Sequence, residues 1–143
     1  MLAMILAVAL MQQGSPGLVT VAQGTYSGID EARETVVRTQ AEWLALWKAH
    51  GQGEPPAAVD FGKEMIAVVF LGTRPTGGYS VQITGTSLEK DALVIDYVEQ
   101  RPGGDAIVSQ ALTSPFHIVR LPRHEGPVRF RRAAGAAPGG RSR

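Results

Sequence analysis

Cysteine is absent from the chain, and that removes disulfides, thiol nucleophiles and cysteine-ligated zinc in one stroke. It also leaves no residue to carry a lipid anchor. Runs long enough to span a bilayer are missing too: Leu2 to Met11 is apolar but only ten residues long. A strong charge of either sign is lacking. Lys and Arg number 14 against 13 Asp and Glu, a formal charge of +1, so the chain as a whole is no magnet for nucleic acid or an anionic membrane. No repeat at solenoid or propeller period occurs. Nor is there the strand–helix–strand alternation that a doubly wound fold requires.

What is there suits one ordinary domain. A chain of 143 residues, 44% hydrophobic and 19% charged, can build one core but not two. Charge is unevenly distributed, with five arginines and no acid from Arg129 onward. The apolar run at the amino terminus has the size of a signal-peptide core, and Ala7-Val8-Ala9 supplies the small-x-small pattern a signal peptidase accepts. Polar Gln12-Gln13-Gly14-Ser15-Pro16 follows, although no Lys or Arg precedes the run. A signal peptide over residues 1–17 is the reading adopted, implying export to periplasm, cell envelope or medium. A buried first strand, or a start codon placed too far downstream, are the other readings of the same run.

Residues 18–29 and 33–39 read as strands with Gly28–Asp30 turning between them. Thr39 and Glu42 form a capping box. Trp43, Leu46, Trp47 and His50 then recur at helical spacing and Gly51 offers a left-handed stop, so the pattern predicts a helix over Gln40–His50 that presses two tryptophans onto a sheet. Met65–Leu71 is continuously apolar and rich in β-branched residues, the pattern of a central strand covered on both faces. Tyr79–Ile83 and Leu93–Val98 alternate, with Lys90-Asp91 as the turn before the latter. Phe116–Leu121 and Val128–Arg132 read as a final hairpin closed by Arg123–Pro127. The expected fold is α+β: a mainly antiparallel sheet of about seven strands over residues 18–132, one short amphipathic helix packed on it, and a mobile tail over 133–143 rich in Ala, Gly, Pro and Arg.

Catalytic signatures are not found. His50, His117 and His124 share no metal-ligand spacing, and no nucleophile elbow, P-loop or dinucleotide-binding glycine motif occurs. His50 closes the helix, where partial positive charge suits the dipole; the other two read as structural or solvated. Asp60, Asp96 and Glu99 read as solvated carboxylates, because sequence places no two of them across a cleft. The C-terminal arginines lack interleaved aromatics beyond Phe130, so specific nucleic-acid binding is not expected. The chain is therefore expected to be non-enzymatic, with no cofactor and no metal.

One segment departs from simple hairpin chemistry. Thr73-Arg74-Pro75-Thr76-Gly77-Gly78-Tyr79-Ser80 joins a buried strand to a half-buried one, where an Asn-Gly turn would suffice. It carries a cation, hydroxyl groups, two glycines free to take positive φ, and a tyrosine at its exit. Amides around Gly77-Gly78 can form a nest for an oxyanion or a carbonyl, with Arg74 beside it. The plain alternative is a tight bulged hairpin in which glycine serves geometry and Tyr79 packs inward.

The same residues carry a family resemblance. Gly72 with Arg74-Pro75-Thr76-Gly77-Gly78-Tyr79-Ser80-Val81 resembles the signature of the PrcB C-terminal domain family, and Leu112-Thr113-Ser114-Pro115-Phe116-His117-Ile118-Val119-Arg120-Leu121-Pro122 is similar to its second block. Tyr26-Ser27-Gly28-Ile29, Glu42-Trp43 with Leu46-Trp47, and Val59-Asp60-Phe61 fit it as well, so the likeness spans about residues 18–131. The resemblance implies a bacterial, commonly exported protein related to a non-catalytic subunit of a surface protease complex. It brings no catalytic residues. Residues and resemblance together point to Arg74, Thr76, Gly77, Gly78 and Tyr79 as a binding surface, with Thr113 and Ser114 beside it. The first expectation is an envelope or secreted interaction module whose partner is a protein such as a protease. The second is a binder of a small anion or carboxylate held by Arg74 and the glycine amides.

Overall fold

The computed structural model describes residues 17–56 and 58–133. The leader expected over 1–17 and the tail expected over 133–143 thus lie outside the described residues, save for Gly17 and Ala133. The elements follow in the order β1 (Val19–Gly24), β2 (Ala32–Val37), α1 (Gln40–His50), β3 (Glu64–Leu71), β4 (Ser80–Glu89), β5 (Ala92–Gln100), β6 (Phe116–Pro122) and β7 (Val128–Ala133). Among the described residues, seven strands and one helix make the α+β, mainly antiparallel fold expected from the sequence. None of the described helices is long and apolar enough to cross a membrane.

The strands form two sheets, one of four in the order β1-β6-β3-β2 and one of three in the order β4-β5-β7. All neighbours are antiparallel except β5 and β7, which run parallel. The four-stranded sheet has an apolar surface on both sides, which is why β3 is apolar at nearly every position. On one side Ile66, Val68 and Phe70 of β3, with Phe116 and Ile118 of β6, receive Trp43, Leu46 and Trp47 of α1. On the other, Met65, Val69, Val119 and Leu121 meet Val81, Ile83 and Ile95 of the second sheet.

Helix α1 forms where the capping residues predict it. Thr39 Oγ1 accepts from the Glu42 N–H at 3.2 Å. The Glu42 carboxylate reaches back to the Arg38 N–H at 3.0 Å, one residue beyond the usual partner of a capping box. Gly51 ends the helix at φ +80°, its N–H on Trp47 O at 3.0 Å. His50 departs from expectation. It is fully buried against Phe116, at 4.4 Å between ring centroids, and hydrogen-bonds Ser27 Oγ at 2.7 Å. Burial lowers its pKa, so the neutral ring is held in the core and no dipole-stabilised cation forms.

The final hairpin does not exist. β6 lies between β1 and β3 in the first sheet, whereas β7 pairs with β5 in the second. The reason is burial: Phe116–Val119 is buried on both faces, the demand of a central strand, while β7 buries one face only. The intervening segment crosses from sheet to sheet and is fastened on the way. The Arg123 N–H donates to Lys63 O at 2.9 Å, and Arg38 donates to His124 O at 3.1 Å. Likewise β1 and β2 do not adjoin; β6 and β3 stand between them, so residues 25–31 pass across the end of the sheet rather than closing a hairpin.

Side chains from β1 and β6 stitch the two sheets along one seam. Gln23 donates to Val81 O at 2.9 Å, and His117 Nδ1 accepts from the Ile83 N–H at 2.8 Å. Because Nδ1 accepts, the ring proton sits on Nε2 and is donated to Thr20 Oγ1, 2.8 Å away. Burial holds the His117 pKa down at about 4.

Candidate functional site

β3 runs toward one end of the molecule and β4 leaves it, so the Gly72–Tyr79 loop stands at that end with residues 25–31 and 101–115. The structure brings most of the signature residues together by bonding them to one another. Arg74 exchanges two backbone hydrogen bonds with Thr113, at 2.8 and 3.0 Å. Thr113 Oγ1 donates to Thr76 O at 2.9 Å, Thr76 Oγ1 to Gly77 O at 2.8 Å, and the Gly77 N–H to Ser109 O at 3.0 Å. Ser114 faces the other way: its N–H donates to Thr25 O at 2.7 Å and its carbonyl accepts from the Ser27 N–H at 3.1 Å. Two extended loops are thereby laced to the Thr-Gly-Gly-Tyr segment.

Two glycines in this lacing have no substitute. Gly72 sits at φ +84°, and a Cβ there would come within 2.9 Å of the Ala32 nitrogen. Gly78 sits at φ +90°, with a Cβ 2.8 Å from Pro102 and 2.9 Å from Val108. The glycine pair thus serves turn geometry and the close approach of residues 101–109. Arg74 is equally engaged. Its Nε donates to Glu99 Oε2 at 2.8 Å, its Nη1 to Leu71 O at 3.1 Å, and its guanidinium lies 5.8 Å from the Tyr79 ring centre. Of the groups that could build an oxyanion nest here, the Gly77 N–H is given to Ser109 O, and Arg74 Nε and Nη1 are given to Glu99 and to backbone carbonyls.

Glu99, read from sequence as a solvated carboxylate, is instead the buried centre of this end of the fold. Its side chain is 5% exposed and is met by Arg74 at 2.8 Å, Arg132 at 3.2 Å and Arg101 at 3.9 Å. Burial alone would raise its pKa. The Arg74 hydrogen bond, then the charges of Arg74, Arg101 and Arg132, outweigh burial and hold it below the ordinary carboxylate range. Nothing in the sequence flagged this group, since a carboxylate in an alternating strand has the pattern of a solvated face. Next to it, Tyr97 donates its hydroxyl to Glu34 of β2, and burial together with that carboxylate pushes the phenol up to about 12. Among the described residues no three His, Cys, Asp or Glu side chains gather where they can hold a metal ion.

Among the exposed charged and polar residues of the laced loops stand three large apolar side chains. Ile107 is 100% exposed, Leu112 67% and Tyr26 61%, and Leu112 and Tyr26 flank the Thr113-Ser114 pair that joins their loops.

Residues 65–122, from the start of β3 to the end of β6, match the model of a family described as PrcB C-terminal. They carry the PrcB C-terminal family pattern. The match takes in the Thr-Gly-Gly-Tyr loop, Glu99 and the Thr113–Pro115 block, while β1, β2, α1 and β7 lie outside it. No curated protein and no solved structure matches the chain.

Proposed function

We propose that this PrcB-like chain is an exported, non-catalytic interaction module, an accessory subunit that holds a partner protein such as a protease at its loop end. One observation carries the reading. The family-pattern residues fasten loops 25–31 and 101–115 to each other, and those loops then hold Tyr26, Ile107 and Leu112 out in solvent. Backbone ordered in advance lowers the entropy lost on association, which is what a docking surface gains from such lacing. Arg74 and Glu99 act as the brace beneath the surface, not as its contact groups.

The test is capture of a partner from the native organism's envelope and secreted fractions, read by mass spectrometry. Wild-type chain is compared with a folded variant carrying Tyr26→Ser, Ile107→Ser and Leu112→Ser. Loss of a captured protein with the variant supports the reading. Equal capture by both, or no capture by the wild type, sinks it.

A further inference from the structure

We infer that the free edge of β2 is a strand-addition site for an extended peptide segment of the partner, with an aliphatic and an acidic side chain at neighbouring positions. The inference rests on the interaction-module reading and names a second contact of that module. Four strands stand at sheet edges: β1, β2, β4 and β7. The start of β4 is capped by Gln23 and by His117. β7 carries three arginines in six residues, and β1 is interrupted by a register shift after Thr20; charge and irregularity are the usual protections of an edge. β2 has neither cap nor break. It pairs evenly with β3 from Ala32↔Leu71 to Val37↔Ile66, and among the described residues no further hydrogen bond reaches its backbone.

The two faces of this edge differ in chemistry. On the helix side a groove of about 340 Å³ runs between β2 and α1, lined by Val37, Ala45, Leu46 and Ala49 together with Arg33 and Glu42. On the other side a cleft of about 240 Å³ opens between the sheets beside Glu34, Tyr97 and Arg132. Glu34 accepts the Tyr97 hydroxyl at one of its oxygens, and Glu99, behind the cleft, is met by three arginines. The guanidiniums keep more unused bonding capacity than the carboxylates. Arg132 makes one described hydrogen bond, at 3.2 Å, and Arg33, which borders both spaces, makes one to Glu31; a guanidinium has five donors. The surplus therefore calls for an incoming carboxylate. Successive side chains of an added strand point to opposite faces, so an aliphatic residue would enter the helix groove and its acidic neighbour the cleft.

The test uses the full chain and short fluorescent peptides of alternating valine and aspartate, read by polarisation. Expected results are saturable binding of the aspartate peptide, about tenfold weaker binding of its lysine counterpart, and a similar loss with Arg132→Glu. N-methylation of one alternate set of peptide amides should abolish binding while methylation of the other set leaves it intact, a signature only strand addition gives. No binding by any peptide, equal binding of the lysine peptide, or indifference to both methylation sets overturns the inference. The capture experiment separates this outcome from the wider reading. A partner held by wild type and by Arg132→Glu, yet lost with the loop-end variant, removes the β2 site and keeps the module.

Discussion

Glu99 and His117 are both buried and both favour the form they hold in the fold, yet they lose stability to acid in different windows. His117 is neutral when folded, with its pKa at about 4 against an ordinary 6.5. Between those values the unfolded chain binds a proton that the folded chain refuses. Its contribution is therefore complete above pH 6.5 and is lost as pH falls toward 4, by about 3 kcal/mol in all. His50, lowered in the same sense by burial, adds to that loss. Glu99 is charged when folded and its pKa is lowered too, so its contribution falls away only below the ordinary carboxylate range. Urea midpoints measured from pH 7 to pH 4.5 should decline, and His117→Gln, which keeps an acceptor for the Ile83 N–H, should flatten the decline. An unchanged slope in the variant would show that the His117 ring is not held neutral. A second comparison at this scale concerns glycine. Gly51 and Gly72 share a positive φ of about +80°, but Gly51 has open space around it while Gly72 abuts the Ala32 backbone. Gly51→Ala should cost about 1 kcal/mol, and Gly72→Ala clearly more, by thermal or urea unfolding.

At the scale of elements, α1 tests whether local signals or packing hold the helix. The cap is a single hydrogen bond, and Thr39→Ala should cost about 1 kcal/mol. Trp43, 1% exposed and with its ring centre 5.4 Å from that of Trp47 in a tilted pair, should cost about 4 kcal/mol on truncation to Ala. Unfolding midpoints of the two variants would check the ratio; equal losses would mean that the helix barely leans on the sheet. This helix was also the most legible element of the sequence, because a cap, a period and a stop are all local. The apolar run of β3 and the alternation of β4 and β5 were legible for the same reason. Pairing was not. Alternation fixes which face of a strand is buried but not which strand lies beside it, so Phe116–Leu121 and Val128–Arg132 looked like neighbours when burial on both faces sends β6 to the middle of the other sheet. The site divides in the same way. The Thr-Gly-Gly-Tyr loop could be singled out by its chemistry, whereas its brace required Glu99, 25 residues further on, to be known as buried. The apolar surface at Tyr26, Ile107 and Leu112 left no sequence signal beyond isolated apolar residues in loops.

At the scale of the molecule, the family pattern and the folding unit do not coincide. Residues 65–122 contain β3, β4, β5 and β6, which supply both inner faces of the core between the sheets. The other core is shared with residues outside the match: Ile29, Val37, Trp43, Leu46 and Trp47 cover Ile66, Val68, Phe70, Phe116 and Ile118. The second sheet loses β7 as well, and with it Val128 and Phe130. A fragment of residues 65–122 would expose those apolar faces to water and leave β3, β5 and β6 each with one partner in place of two. It should therefore show a collapsed amide spectrum by NMR and no cooperative unfolding, whereas a chain ending at Ala133 should keep both. If the fragment instead gives dispersed amides and a sharp transition, β1, β2, α1 and β7 are additions to a self-sufficient core. The loops of residues 72–79 and 101–115 would then belong to that core, with Tyr26 and β2 laid onto it.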